Sequence, residues 1–256
     1  MGKKDTVTFE EFKEEIELTD KQYGQEEDLY FLVNKIIRST LPDNMTVRDV
    51  HKLQKPPESE DFQGRKHFIA YGQAPDFVIL DKEFDQSKED QEKNVYGCVE
   101  IKKFKKVSKK SEDDVNDTIK AINEKHGEKI VIIKTIDIVD KNDNVDKNDN
   151  KKEIINYSMR VGNEDINNKS ILSELIRECI FFKKVLFTNL KQWYFLEYDG
   201  DIEKEENVEK NIVSYTISMS KIKIKKLYNY SEDVSERLGK VRFAILLSEL
   251  DDIKWK

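Results

Sequence analysis

Two short apolar runs with charges at their ends constrain what this chain can fold into. One is Pro75-Asp76-Phe77-Val78-Ile79-Leu80; the other is Val95-Tyr96-Gly97-Cys98-Val99-Glu100-Ile101-Lys102. Both are rich in β-branched and aromatic residues and have the length of strands rather than helices. Strand side chains alternate between faces, so Asp76 goes with Val78 and Leu80, while Cys98, Glu100 and Lys102 share one side and Val99 and Ile101 the other. A carboxylate left unpaired in such a setting costs roughly several kcal/mol or takes up a proton. If the two strands pair antiparallel, the start of the first meets the end of the second. Asp76 then approaches Glu100.

The rest of the chain alternates between helical and strand patterns. Thr8 and Glu11 form a capping box ahead of a short helix ending near Leu18. A second helix is expected from Gln25 to Arg38, with Leu29, Leu32, Val33 and Ile36 on one face. Thr46–Leu53, His67–Tyr71, Asp76–Leu80 and Val95–Phe104 read as strands. Lys55–Lys66 reads as a polar loop, Asp81–Asn94 as an exposed hairpin extension, and Lys105–Ser111 as a basic connector. Glu112–Glu124 is expected to be helical and Lys129–Val139 a buried strand. Val139–Asn144 and Val145–Asn150 repeat Val-Asp-Lys-Asn-Asp-Asn. That repeat lacks the glycine and terminal glutamate of a calcium loop and reads as a solvated low-complexity insertion. A strand at Ile154–Met159, a helix at Ser170–Phe182 and strands at Val185–Phe187 and Gln192–Tyr198 follow. Asp201–Glu209 reads as acidic loop, Ile212–Met219 and Ile222–Leu227 as a C-terminal β-hairpin, and Ser231–Leu250 as a final peripheral helix. Helices flanking a strand cluster indicate an α/β domain, and the 256 residues are taken as a single one.

Composition narrows the chemistry. A net charge of −7 argues against a bulk polyanion binder, so any nucleic-acid contact must come from local basic stretches. Cys98 and Cys179 lie in apolar segments and read as reduced, buried thiols. His51, His67 and His126 are scattered without zinc-ligand spacing. The first residues lack an apolar signal region and no run is long enough to span a bilayer. The expectation is an intracellular protein, cytoplasmic or nuclear, without a membrane partner.

Two carboxylates and a lysine gathered by neighbouring strands suit a divalent metal and a phosphate. Asp76, Glu100 and the carbonyl of Ile101, with waters, would form a hard oxygen shell for Mg²⁺ or Mn²⁺. Such an ion polarises a phosphoryl oxygen and lowers the pKa of an attacking water. Lys102 would hold that water or offset developing charge.

Gly72-Gln73-Ala74-Pro75-Asp76 followed by Glu100-Ile101-Lys102 resembles the PD-(D/E)xK nuclease superfamily, which includes restriction endonucleases, repair exonucleases and tRNA-splicing-type nucleases. The resemblance covers about Gln25 to Tyr198. It implies a restriction-endonuclease-like mixed central β-sheet flanked by helices and Mg²⁺- or Mn²⁺-dependent hydrolysis of phosphodiester bonds. It also implies a glutamate on the helix before the sheet, either Glu26 or Glu27. A helix and an aromatic hairpin after the motif match Glu174 and Glu178 on Ser170–Phe182, then Leu186–Asn189 and Trp193–Phe195. The long separation of Asp76 from Glu100 and the repeat near Val139–Asn150 depart from the family pattern as insertions.

The catalytic assignment is therefore Asp76, Glu100, Lys102 and Glu26, with Asp76, Glu100 and Ile101 as metal ligands. Lys103, Lys105, Lys106, Lys109 and Lys110 directly follow the catalytic strand and are assigned to the nucleic-acid backbone, DNA ahead of RNA. Lys221–Lys226 alternates lysine and isoleucine and reads first as a half-buried edge strand. Trp193 reads as core before it reads as a base-stacking platform. The competing class is a catalytically inactive module of the same fold that binds nucleic acid or protein within a mobile-element or defence system. Homodimerisation is left open.

Overall fold

The computed structural model describes residues 6–22, 25–51, 67–88, 91–103, 114–140, 151–230 and 234–256. Helix α1 (Phe9–Lys21) opens on the Thr8–Glu11 capping box. A 3₁₀ turn (Glu26–Leu29) runs into α2 (Tyr30–Thr40), so the expected second helix begins in a tighter coil. Then come β1 (Met45–Asp49), β2 (Phe77–Asp81), β3 (Val95–Ile101), α3 (Asp114–Glu124), β4 (Lys129–Asp140), β5 (Lys151–Val161) and β6 (Glu164–Ile166). Helix α4 (Ile171–Phe182), β7 (Lys184–Thr188), β8 (Gln192–Tyr198), β9 (Glu203–Asn207), β10 (Ile212–Ser218), β11 (Ile222–Asn229) and α5 (Glu236–Asp251) complete the chain.

Among the described residues the fold is mixed α/β with two sheets. The six-stranded sheet has the order β1-β2-β3-β7-β8-β11, with β3 and β7 parallel and every other neighbouring pair antiparallel. The second, antiparallel sheet has the order β6-β5-β4-β10-β9. Strand alternation divides the core into two layers. Phe77, Ile79, Val99, Ile101, Leu186 and Trp193 pack against α1, α2 and α5. Val78, Leu80, Cys98, Val185, Phe187 and Leu196 pack the other way, against α3, α4 and the second sheet. With both faces covered, the central strands lose contact with water over most of their length, which supplies the hydrophobic driving force for this arrangement. Gly97 has a packing role on β3: an added Cβ would stand 2.6 Å from the Trp255 ring and 2.7 Å from the Lys184 carbonyl.

Several expectations are corrected. His67–Tyr71 is not a strand; only Ala70 makes an isolated bridge, to Gln73, because Tyr71 and Gly72 turn the chain at positive φ. Asp201–Glu209 is largely β9 rather than loop, since β10 offers it a pairing edge despite its acidic sequence. Ile212–Met219 and Ile222–Leu227 do not form a hairpin: β10 joins β4 and β9 in the second sheet, whereas β11 crosses to β8. Helix α5 is not peripheral, because Phe243, Leu246 and Leu250 are part of the core beneath α1 and α2. Strand β4 is only half buried, with Ile130 and Ile132 inside and its outer face partly solvated. The loops 55–66 and 105–111 and most of the repeat lie outside the described residues.

Candidate active site

The register of β2 against β3 pairs Phe77 with Val99 and Val78 with Cys98, which sets Asp76 opposite Glu100. The turn before β2 delivers Asp76 to that position. Tyr71 and Gly72 take φ of 49° and 89°, and Ala70 and Gln73 exchange backbone hydrogen bonds of 2.6 and 3.1 Å. Glycine suits the second position because φ is positive and a Cβ would meet the Tyr157 ring at 2.9 Å. Arg177 of α4 clamps this lip, donating to the Tyr71 carbonyl at 3.0 Å and to Asn168 Oδ1 at 2.6 Å. Gln73 Nε2 donates to the Asn168 carbonyl at 2.8 Å.

Asp76 is buried and held from three sides. Its carbonyl accepts from Val50 N at 2.9 Å. Its side chain accepts from Ile101 N at 2.7 Å and from the Tyr30 hydroxyl. Beyond the end of β3, Lys102 N donates to the Thr188 carbonyl at 2.8 Å, extending the parallel pairing with β7. The Lys102 ammonium pairs with Glu100 and, at 3.2 Å, with Glu174 of α4. Glu26 Oε2 accepts from Lys103 N at 3.2 Å, so the structure selects Glu26 over Glu27 for contact with the end of β3, while both line the cavity. That cavity holds about 530 Å³ and is bounded by Glu26, Tyr30, Asp76, Glu100, Lys102 and Glu174 among others.

Negative charge dominates this pocket. Burial and the neighbouring Glu100 push the Asp76 carboxyl up to about 7. Burial likewise raises Glu100, and raises Glu178 far above the carboxylate range. Glu178 is bonded to Glu100 by one side-chain oxygen, while its Oε2 has no partner. Desolvation disfavours the charged form of Lys102, yet Glu100, Glu174, Glu26 and Asp76 outweigh it and raise its pKa. The raised pKa favours the ammonium form, which can donate hydrogen bonds and offset charge.

The donor set fits a hard divalent cation in its chemistry: carboxylates cluster on the lining, Asp76, Glu100 and Glu26 raised in pKa first by burial, and Lys102 and Lys169 are the ammonium groups among the described lining residues. Among the described residues no three His, Cys, Asp or Glu side chains converge closely enough to hold an ion by themselves. A metal would rest on Asp76 and Glu100, the Ile101 carbonyl and waters. Each carboxylate oxygen keeps a lone pair beyond the hydrogen bond it accepts.

The structure thus brings together Asp76, Glu100, Lys102 and Glu26. Lys103 is half buried at the rim, and Lys105, Lys106, Lys109 and Lys110 lie outside the described residues. Lys223 and Lys225 on the edge strand β11 are engaged by Asp199 and Glu249, which favours the ordinary edge-strand reading. Trp193 is fully buried, and its indole donates to the Leu190 carbonyl at 2.8 Å. Cys98 and Cys179 are free, buried, and raised in pKa by burial. Sequence reasoning missed Tyr30, whose hydroxyl reaches Asp76 from α2; its place next to the Leu29–Val33 apolar stripe was the available signal. The direct pairing of Glu174 with Lys102 was also missed, because nothing local links α4 to the end of β3. Among the described residues no helix is long and apolar enough to cross a membrane. Comparison with family models, with curated proteins and with solved structures finds no match to this chain.

Proposed function

We propose that this chain is a divalent-metal-dependent nuclease of the PD-(D/E)xK type, with a restriction-endonuclease-like core, that hydrolyses phosphodiester bonds of nucleic acid, DNA ahead of RNA. The observation that carries the reading is the convergence of Asp76, Glu100 and Lys102 from two paired strands in one acidic pocket. Supporting it are Glu26 on the turn before α2, a mixed central sheet with helices on both faces, and α4 followed by the aromatic β7–β8 hairpin. When bound, Mg²⁺ or Mn²⁺ would polarise the phosphoryl oxygen and acidify a water. Asp76 and Glu100 would hold it, and Tyr30 and Ile101 N orient the Asp76 carboxylate. Protonated Lys102 would stabilise charge gathering on the phosphorane oxygens as water adds and the ester oxygen departs. Glu26 would support the pocket from the 3₁₀ turn.

The test is hydrolysis of plasmid and oligonucleotide substrates in Mg²⁺ or Mn²⁺, coupled to calorimetric titration of Mn²⁺. Cleavage and Mn²⁺ binding should both be abolished by Asp76→Ala. A folded protein that cleaves nothing under any divalent ion refutes the catalytic reading.

One observation favours the second reading, an inactive module on the same fold. Lys102 already pairs with both Glu100 and Glu174, and both Asp76 side-chain oxygens accept protein hydrogen bonds. In that case Mn²⁺ would not bind and Asp76→Ala would leave nucleic-acid affinity unchanged.

A further inference from the structure

Phe31 on α2 is 78% exposed, although a phenylalanine of this size ordinarily seeks burial. It borders a second cavity of about 600 Å³, lined with Tyr30, Asn34, Lys35, Arg38, Asp49 and Phe77. Phe31, Lys35 and Arg38 stand at i, i+4 and i+7, on one face of the helix. This cavity adjoins the candidate active site at two points. Tyr30 lines both cavities. Asp49 lines the second, His51 lines the first, and the His51 ring is bonded to Asp49. Among the described residues, the charges on the lining are those of Lys35, Arg38 and Asp49. Lys35 pairs with Glu11 at 3.3 Å. The Arg38 guanidinium donates to Asn34 Oδ1 at 2.7 Å and to the Val47 carbonyl at 3.0 Å; both acceptors are neutral, and no described carboxylate makes an ion pair with it.

The geometry points to a nucleotide subsite here: an unpaired base of the substrate strand stacks on Phe31, and its phosphate lies against Arg38, one step along the strand from the Asp76–Glu100–Lys102 pocket. The inference rests on the nuclease reading and sharpens it to a substrate with single-stranded character at the point of attack. A planar aromatic face gives stacking without sequence preference, and an unneutralised guanidinium supplies phosphate complementarity. A duplex keeps its bases stacked on each other and cannot use Phe31 without unstacking.

The experiment measures binding of fluorescein-labelled oligothymidylate, and of its duplex with oligoadenylate, to the full chain in Ca²⁺. Phe31→Ala should weaken single-strand binding by about ten-fold or more, the scale of base–aromatic stacking, and leave duplex binding unchanged. Phe31→Trp should retain affinity. Its emission should be quenched by the oligonucleotide, since the native Trp193 and Trp255 are buried and out of reach. Equal single-strand affinity of wild type and Phe31→Ala, no single-strand binding by wild type, equal losses for both substrates, or unquenched Phe31→Trp each overturns the subsite. So does Phe31-dependent self-association in sedimentation velocity, which would give this face to a second copy of the chain. Asp76-dependent cleavage in Mg²⁺ without a Phe31 effect on binding removes the subsite alone. Phe31-dependent binding without cleavage in any divalent ion removes the catalytic reading alone.

Discussion

Replacing Asp76 with asparagine removes a buried charge that the metal-free fold holds at a cost. Its pKa rises from 3.8 to about 7, first through burial and second through Glu100. A carboxyl with a raised folded-state pKa binds more protons folded than unfolded between those values. Stability therefore falls as pH rises from about 4 to about 7 and is flat above. A shift of about three units corresponds to at most ~4 kcal/mol. Asparagine retains one acceptor oxygen, so one of the two donors, Tyr30 hydroxyl or Ile101 N, loses its partner; that loss costs about 1–3 kcal/mol. The net expectation at pH 7.5 in EDTA is a variant more stable than wild type by about 1–3 kcal/mol. At pH 4.5 most of that advantage should be gone, because the folded wild-type carboxyl is then neutral and the lost hydrogen bond offsets the roughly 1 kcal/mol of penalty that ionisation of the unfolded chain still leaves. Urea unfolding from pH 4.5 to 8 reads both arms. An Asp76→Asn variant with the same pH slope as wild type, or one destabilised equally at both ends, would refute the charge-crowding argument. Adding Mn²⁺ should restore wild-type stability at pH 7.5 and leave Asp76→Asn unaffected.

Three further expectations follow from named contacts. Lys102→Ala should lower turnover by about a hundred-fold or more in Mg²⁺ while leaving substrate affinity in Ca²⁺ nearly unchanged, and cleavage at the wild-type rate would remove its assigned role. Gly97→Val should destabilise the fold by about 1–3 kcal/mol, because the new side chain meets Trp255 and the Lys184 backbone, and an unchanged melting temperature would mean that the C-terminal tryptophan is not seated there. Deleting residues 145–150 should leave the melting temperature unchanged: Asp140 pairs with Lys151, and the four remaining residues suffice for an ordinary hairpin connection, so a large drop would show that the repeat packs.

What the chain carried locally was the face on which each charge lies. Alternation is a two-residue property, so Asp76 with Val78 and Glu100 with Cys98 could be assigned to one side of a sheet without knowing the neighbours of either strand. The Thr8–Glu11 cap and the Ser170 cap of α4 are local for the same reason: the hydroxyl and the amide it accepts from are three residues apart. Failures came where a non-local partner decides. His67–Tyr71 has strand composition, but the left-handed turn at Tyr71–Gly72 and the Arg177 clamp from α4 leave it a single bridge. The acidic Glu203–Asn207 becomes a strand because β10 presents an open edge, and β10 and β11 part because β8 and β4 compete for them. Strand pairing joins segments far apart in sequence, and no periodicity within a segment encodes its partner. The same holds for the pocket. Only the parallel docking of β7 beside β3 brings α4 over the strand ends, sets Glu174 against Lys102 and Glu178 against Glu100, and buries the group deeply enough to move its proton affinities. Local sequence assigned the charges to a face, whereas burial and mutual distance, which exist only in the assembled fold, decided their protonation.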